Sequence, residues 1–156
     1  MIGVGGRFCC VESDFDHVPV VLETISDCAG EHLKDPTHKG VTDKRPGHLE
    51  VIAIKFDPNK ISYKQLIDVS WRNVDPTDEG GQFCDRSDRY ATAIFATTPE
   101  HKRLAEESKH KISAFGFLKC PIVTPIRDAG PFYPTEEYHQ NYYQRNPLRY
   151  RLYRYN

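Results

Sequence analysis

The clearest periodic pattern in the chain is the alternation of apolar and polar residues over 47–56, which predicts a β-strand. Period-two alternation puts Glu50 on the same face as Ile52 and Ile54, so a carboxylate lies at the end of an apolar stripe. Other runs rich in β-branched and aromatic residues predict strands at 18–25, 90–96 and 121–126. The prolines in the last of these runs favour an edge position or strand ends.

Helix start and stop signals alternate with these strands. Ser62 and Gln65 form a capping box for a helix that runs to about Trp71, which we expect in the core. A charged helix begins at Thr98–Pro99 and ends just before Gly116. Strands that alternate with helices predict an α/β or α+β fold of two layers.

Two polar segments, 27–46 and 75–89, predict long loops. The first is rich in Gly, Pro, Lys and Asp, and the second contains the sequence Phe83–Arg86. Long loops in compact domains are often functional, so we expect site residues in them.

The composition describes a single domain that covers residues 1–156. With 38% hydrophobic residues and a formal net charge of −1, the chain is long enough for one core of its own. No apolar run approaches ~18 residues and no basic segment precedes an apolar one, so we expect neither a membrane span nor a signal peptide. The expectation is therefore a cytoplasmic monomer without a membrane partner.

The five cysteines are odd in number and irregularly spaced, which predicts free thiols in a reducing compartment. Cys28 and Cys120 fit best as small buried hydrophobic residues. A zinc site built from Cys9, Cys10, Cys84 and nearby histidines lacks ligand spacing, so we expect no metal and no cofactor.

The first twelve residues carry the densest group of candidate chemistry. An apolar run that ends in Gly5–Gly6 is followed by an aromatic residue, two thiols and a carboxylate, which predicts a strand turning tightly into a helix. The positive end of the helix dipole would then lie beside Cys9 and Cys10 and lower the pKa of a thiol there.

Glu50 is the second candidate, and its pattern leaves two interpretations open. Partial burial at the end of the apolar stripe would raise its pKa, as a general acid near neutral pH requires. Alternatively, the side chain lies at a strand end and reaches solvent.

Residues 5–12, with the sequence Gly-Gly-Arg-Phe-Cys-Cys-Val-Glu, resemble the Gly-Cys-Phe-Trp-(Cys/Gly)-x-Glu signature of the A-type peptide methionine sulfoxide reductases. Further segments resemble motifs of that family in the same order, over almost the whole chain: 47–50, 57–63, 75–77, 82–85 with Tyr90, 132–134 and 138–140. The resemblance implies an α+β fold in which a ferredoxin-like core is elaborated and helices pack on a mixed sheet.

The resemblance also implies a reaction. In this family a cysteine attacks the sulfur of the S epimer of methionine sulfoxide, free or in proteins, while a Glu and a Tyr supply protons to the departing oxygen. The resulting sulfenic acid is resolved as a disulfide by a second cysteine, and thioredoxin reduces that disulfide. No cofactor takes part.

Carried over position by position, the resemblance implies roles for residues of this chain. Glu50 would be the acid, and Asp85 and Tyr90 would bind and polarise the substrate. Phe8 would form a wall for the substrate methyl group, and Cys84 would be the resolving thiol. His38 stands where the family usually has a Tyr of its substrate-binding segment.

Arg7 stands where the family has its nucleophilic Cys, and Cys9 stands where it has Trp. A guanidinium has no lone pair to offer, so Arg7 is not a nucleophile. One hypothesis is a reductase that uses Cys10, three residues on and on the same helix face, or Cys9 if the turn shifts. The other is an inactive protein that keeps the fold, with Arg7 paired to Glu50 or Asp85 in the pocket.

Arg and Tyr interleave in residues 149–155, a pattern that also occurs in nucleic-acid contacts. The slightly negative net charge and the tyrosines favour a tail packed on the domain instead. We therefore expect no nucleic-acid partner.

Overall fold

The computed structural model describes residues 2–29, 49–82, 85–130, 134–135 and 137–155. Its strands are β1 (Ile2–Gly5), β2 (Val21–Ala29), β3 (Leu49–Phe56), β4 (Gly81–Gln82), β5 (Asp85–Arg86), β6 (Ile94–Ala96) and β7 (Ile126–Asp128). Within these ranges, five strands form one sheet in the order β2-β3-β1-β6-β7, and β4 and β5 form a separate antiparallel pair.

The pairing makes the larger sheet mixed. β1 lies between β3 and β6 and is antiparallel to both, β2 is antiparallel to β3, and β6 runs parallel to β7. β7 is an edge strand, as the prolines suggested, but it begins at Ile126 and not at residue 121. The N–H groups of Val123 and Thr124 both donate to the carbonyl of Pro76, at 2.8 and 3.3 Å, so these two residues pair with a loop, and contact with the sheet starts at Pro125, whose carbonyl accepts from the Ile94 N–H.

The helices are α1 (Phe8–Asp16), α2 (Tyr63–Asn73), α3 (Pro99–Ala114), α4 (Tyr142–Arg145) and α5 (Pro147–Tyr155), with 3₁₀ turns at Asp88–Tyr90 and Glu137–His139. The capping box at the start of α2 is present in both directions, and Thr98 caps α3 by accepting from the His101 N–H at 3.1 Å. Gly116 follows α3 with φ of 68°, a left-handed conformation that ends the helix. These three predictions are confirmed.

Side chains on both faces of the larger sheet are buried. The main core joins the sheet to α1, α2 and α3, and its members include Val4, Phe15, Ile52, Ile54, Leu66, Ile67, Ile94 and Ala105. A smaller core on the opposite face contains Leu49, Val51, Ala93 and Phe95. Trp71 is buried as predicted, and its Nε1 donates to Ser108 Oγ at 3.0 Å, which joins α2 to α3.

Two predicted strands have different bounds in the structure. β2 begins at Val21 and not at residue 18. The Val18 N–H donates to the carbonyl of Phe15 and the Val21 N–H donates to the carbonyl of Val18, so the chain forms turns after α1. The predicted strand at 90–96 is formed only at Ile94–Ala96, because the Tyr90 N–H donates to Ser87 and closes a 3₁₀ turn. The α+β architecture with helices on a mixed sheet is confirmed.

None of the helices in the described ranges has the length and apolar character that crossing a membrane requires. The predicted loop over 27–46 begins later than expected, since β2 continues to Ala29. Residues 30–48, which hold the rest of that loop, lie outside the described part of the chain.

Candidate functional site

The turn from β1 into α1 brings Glu50 next to the start of the helix. Gly5 donates to the carbonyl of Ala93 at 2.7 Å and Gly6 donates to the carbonyl of Glu50 at 3.1 Å. A Cβ on Gly5 would lie 2.8 Å from the Ala93 nitrogen, and Gly6 has φ of 142°, so both positions require glycine. Arg7 follows at once as the residue that precedes the first turn of α1.

Arg7 forms an ion pair with Asp85 of β5, in which Nη1 donates to Oδ2. The two side chains are 17% and 23% exposed, so water screens the pair only in part. One of the two pairings proposed for Arg7 from the sequence, the pairing with Asp85, is therefore confirmed.

A cavity of about 190 Å³ lies beside this ion pair, between the start of α1, the beginning of β3 and the C-terminal segment. Its walls include Arg7, Cys9, Glu50, Arg89, Tyr90, His139 and Tyr142. Four predicted site residues, Arg7, Cys9, Glu50 and Tyr90, thus meet at one cavity. Sequence reasoning gave no role to Arg89, His139 or Tyr142, although 138–140 had been noted as a family-like segment.

Cys10 lines a different and smaller space, a crevice of about 20 Å³ that it shares with Arg7, Asp85 and Gln82. Helical spacing correctly predicted that Cys10 and Arg7 lie on one side of α1. The larger cavity that holds Glu50 is lined by Cys9 instead, so the side of the helix that faces the acid is not the side expected.

Burial and a neighbouring thiol raise the pKa of Cys9, whereas the sequence predicted a lowered pKa. The hydrogen bond with the Cys10 side chain and then burial raise the pKa of the Cys9 thiol far above its ordinary value, and the charge of Arg7 lowers it by less. Cys9 is 3% exposed. The helix dipole and Arg7 therefore do not produce a thiolate here, and Cys9 is a neutral thiol at neutral pH.

Glu50 is 8% exposed, so its side chain is buried at the strand end and does not reach solvent. Burial is the main cause that raises the pKa of the Tyr90 phenol, and the charge of the nearby Glu50 carboxylate is the second. Arg89 and Arg7 lower that pKa by smaller amounts. A buried carboxyl group and a protonated phenol therefore face one cavity, and the phenol O–H can donate a hydrogen bond to a polar ligand oxygen there.

Other predicted residues lie outside this arrangement. His38 and Cys84 lie outside the described residues, and the side chain of Phe8 is not among those described, although its backbone begins α1. Cys120 is exposed, contrary to the prediction, because it follows α3 in a segment without regular structure. Among the described residues no group of three or more His, Cys, Asp or Glu side chains is placed to hold a metal ion.

A family model and individual relatives both match this chain over nearly its whole length. A family model described as "Peptide methionine sulfoxide reductase" matches residues 1–156. Peptide methionine sulfoxide reductase MsrA 2 of Rhizobium meliloti is 50% identical over 154 residues, which cover 98% of this chain and 75% of that protein. Peptide methionine sulfoxide reductase MsrA of Bacillus licheniformis is 46% identical over 150 residues, which cover 96% of this chain and 83% of that protein.

Solved structures are similar to the fold over nearly its whole length. Mxr1 from Saccharomyces cerevisiae in reduced form has a TM-score of 0.85 at 26% identity and covers 94% of this chain and 85% of its own. Mxr1 in complex with Trx2 has a TM-score of 0.61 at 18% identity, over 91% of this chain and 84% of its own, a likeness of fold alone.

Proposed function

The chain belongs to the peptide methionine sulfoxide reductase family, and from that premise we propose that it reduces methionine sulfoxide with the Cys9 thiol and Glu50 as general acid. The observation that carries the proposal is the single cavity lined by Cys9, Glu50 and Tyr90. A sulfur nucleophile, an acid and a hydrogen-bonding phenol are the groups that this reaction requires.

In the proposed reaction the Cys9 sulfur attacks the sulfoxide sulfur while Glu50 protonates the sulfoxide oxygen. The bond between substrate sulfur and oxygen breaks, and the oxygen ends on Cys9 as a sulfenic acid. The substrate sulfur gains two electrons and leaves as a thioether, and the Cys9 sulfur loses two. Tyr90 orients the oxygen by a hydrogen bond. Cys9 releases its thiol proton to water before it attacks, and the Glu50 carboxyl takes a proton back from water after it has given its own, so the protons balance.

The second step removes the sulfenic acid. A second thiol attacks the Cys9 sulfur, a disulfide forms, and the oxygen leaves as water. The family resemblance assigns this role to Cys84, and a dithiol reductant of the thioredoxin class then restores both thiols. A fold relative, yeast Mxr1, is known in complex with Trx2, which supports a reductant of this class.

The expected rate is low. The thiolate is the attacking species, and the raised pKa of Cys9 leaves little of it at neutral pH. Arg7 also occupies the position of the family nucleophile, so the thiol that attacks comes from a displaced position.

A second candidate is a protein that binds methionine sulfoxide without reducing it. The Arg7–Asp85 ion pair favours this candidate, because it holds a cation in the cavity wall at the position where the family has its nucleophile. The protonated state of Cys9 favours it as well. Binding would then use Glu50 and Tyr90 as hydrogen-bonding groups for the sulfoxide.

An assay of methionine S-sulfoxide reduction with dithiothreitol separates the two candidates. The reductase candidate requires measurable turnover by the native chain, loss of turnover in Cys9→Ser, and retention in Cys10→Ser. The binding candidate requires no turnover in the native chain and turnover in Arg7→Cys, which returns a thiol to the family position. Replacing dithiothreitol by thioredoxin and its reductase then tests the proposed reductant in the same variants.

The substrate class and setting follow from the same proposal. The family precedent favours the S epimer, free or within proteins, and the R epimer serves as the matched negative substrate in the assay. The free thiols Cys9, Cys10 and Cys120 support a reducing compartment such as the cytoplasm. Gel filtration of the native chain tests the expected monomer.

A further inference from the structure

Two side chains of the cavity, His139 and Tyr142, come from residues 137–145, which we call the C-terminal wall. The wall consists of the 3₁₀ turn Glu137–His139 and α4, and Asn141 between them has φ of 54° and ψ of 35°. This is the left-handed region, which Asn adopts more readily than most residues but which contacts still have to select. The wall therefore needs anchors in the rest of the molecule.

One anchor is Glu12, a carboxylate inside α1 that is 0% exposed. Its Oε1 accepts a hydrogen bond from the Asn141 N–H at 2.9 Å. Its Oε2 makes no hydrogen bond of ordinary geometry among the described residues, although the Ser26 hydroxyl and the Tyr142 N–H lie near enough to lower the pKa of the carboxyl. Burying a carboxylate with part of its hydrogen-bonding capacity unused is costly, so packing alone does not account for a glutamate at this position.

Other anchors hold the chain on either side of Asn141. Before it, the carbonyl of Ser26 accepts from Gln140 Nε2 at 2.9 Å and from the Thr135 N–H at 3.0 Å. After it, the Tyr143 hydroxyl donates to Asp16 Oδ2 at 3.0 Å. Glu12 is thus the contact at the point where the chain turns into α4, next to Tyr142.

We propose that Glu12 is a positioning residue of this site, which holds the C-terminal wall against Cys9 by accepting the Asn141 N–H from within α1. Glu12 and Cys9 belong to the same helix, less than one turn apart, so the contact ties the wall directly to the helix that carries the thiol. Glu12 is not among the residues that line the cavity, and it acts on the cavity through the segment that carries His139 and Tyr142. The inference concerns access to Cys9, and it holds whether or not that thiol reduces a sulfoxide.

Alkylation by iodoacetamide measures this access in the native chain and its variants. Mass spectrometry with peptide fragmentation reports the rate at Cys9 relative to Cys120, which is exposed and serves as the internal reference. In Glu12→Ala the Asn141 N–H loses its acceptor, the wall opens more often, and the rate at Cys9 relative to Cys120 rises about tenfold. In Glu12→Gln the amide oxygen still accepts, so the ratio stays within about twofold of the native chain.

Two controls separate positioning from general destabilisation. Glu23→Ala removes an exposed glutamate that pairs with Lys55 on the sheet, and it leaves the ratio unchanged. Amide exchange followed by NMR is expected to quicken at Asn141 and Tyr142 in Glu12→Ala, but not at Leu66 or Ile67 in the core of α2. Should Glu12→Ala fail to fold, Glu12→Asp, one methylene shorter, carries the same expectation of faster alkylation and local exchange.

The proposal is overturned if both Glu12→Asp and Glu12→Ala leave the Cys9 to Cys120 ratio unchanged. It is equally overturned if exchange quickens in α2 as much as at Asn141, because Glu12 would then support the fold and not the wall. Loss of Cys9 protection in Glu12→Gln to the same extent as in Glu12→Ala also counts against it. None of these outcomes depends on reductase activity, so they leave the proposed function to its own assay.

Discussion

Arg7 changes what the first turn of α1 can do. A cysteine at that position would have the helix N-terminus beside it, whereas the guanidinium is held by Asp85 and lies between the cavity and the crevice of Cys10. The cationic charge does lower the pKa of Cys9, but the hydrogen bond with Cys10 and burial outweigh it. Reactivity at this site is therefore decided by solvation and thiol contacts more than by the nearby cation.

The sequence predicted the right set of chemical groups but not which thiol meets the acid. Helical spacing puts Cys10 on the side of Arg7, and the structure agrees. The side that faces Glu50 depends on the rotation of α1 against β3, which is fixed by Val11 and Phe15 in the core. Tertiary packing sets that rotation, so the spacing of apolar residues in the sequence does not predict it.

Replacing Glu50 by Gln tests the acid at the scale of one residue. If Glu50 protonates the departing oxygen, the rate of sulfoxide reduction falls about 10²- to 10⁴-fold, because the amide has no proton to give. Glu23→Gln, an exposed carboxylate on β2, is the matched control and retains the native rate. A reduction rate that is unchanged in Glu50→Gln would remove Glu50 from the mechanism. The dithiothreitol assay supplies the measurement, in the native chain or in Arg7→Cys.

Asp85→Asn tests the ion pair itself. The substitution leaves the Arg7 guanidinium without its carboxylate at a position that is only 17% exposed. The free energy of unfolding, measured in urea, is therefore expected to fall by about 1 kcal/mol. Asp78→Asn, which breaks the more exposed pair with Arg86, should cost less. In the double variant Arg7→Gln with Asp85→Asn most of the loss should disappear, and a loss that persists would mean that Asp85 acts through some other contact.

At the scale of elements, local signals predicted well wherever the stabilising contacts are themselves local. The capping box of α2 and the Thr98 cap and Gly116 stop of α3 are all decided within about four residues. The strand predicted at 90–96 was too long because its first half makes other contacts. Tyr90 belongs to the 3₁₀ turn Asp88–Tyr90, and the carbonyl of Ala93 accepts from the Gly5 N–H. A run of β-branched residues indicates a segment that tends to be half-buried, but it does not show which strand pairs with that segment.

Ser62→Ala tests the element whose prediction was most specific. The hydroxyl accepts from the Gln65 N–H at 3.3 Å, and the Gln65 side chain accepts from the Ser62 N–H at 2.9 Å. Loss of the cap is expected to lower the free energy of unfolding by about 1 kcal/mol. Ser113→Ala, at an exposed position in the last turn of α3, should change it by no more than about 0.5 kcal/mol. Urea denaturation at neutral pH gives both values, and equal effects would contradict the capping role.

At the scale of the whole molecule, the cavity joins segments that are far apart in the chain. Cys9 and Glu50 come from the first third, Tyr90 from the middle, and His139 and Tyr142 from the end. The first three belong to segments with strong family-like motifs, so sequence could find them. His139 also lies in a family-like segment, but Tyr142 does not. The neighbours of both residues are held by contacts of Glu12, Asp16 and Ser26 across more than a hundred residues, and such contacts follow from packing and not from any local pattern.

Glu12 makes the stability of the whole chain depend on pH in a direction that can be measured. Burial is the main cause that raises the pKa of its carboxyl, and the charge of Asp16 raises it as well. The Asn141 N–H, the Tyr142 N–H and the Ser26 hydroxyl lower it by less. Because the folded pKa lies above the unfolded one, the stability that this group contributes is complete below the ordinary carboxyl pKa. It is lost as the pH rises through the folded value.

Glutamine at this position does not titrate and still accepts from Asn141. The free energy of unfolding of Glu12→Gln minus that of the native chain should therefore increase as the pH rises above about 4, the ordinary range of a carboxyl pKa. Each unit by which folding raises the pKa contributes about 1.4 kcal/mol to that increase. Urea denaturation of both proteins at several pH values measures it, and Glu23→Gln should show no comparable trend. A difference that is flat or falls with pH would mean that the buried carboxylate is stabilised as the anion, in which case the Asn141 N–H outweighs desolvation.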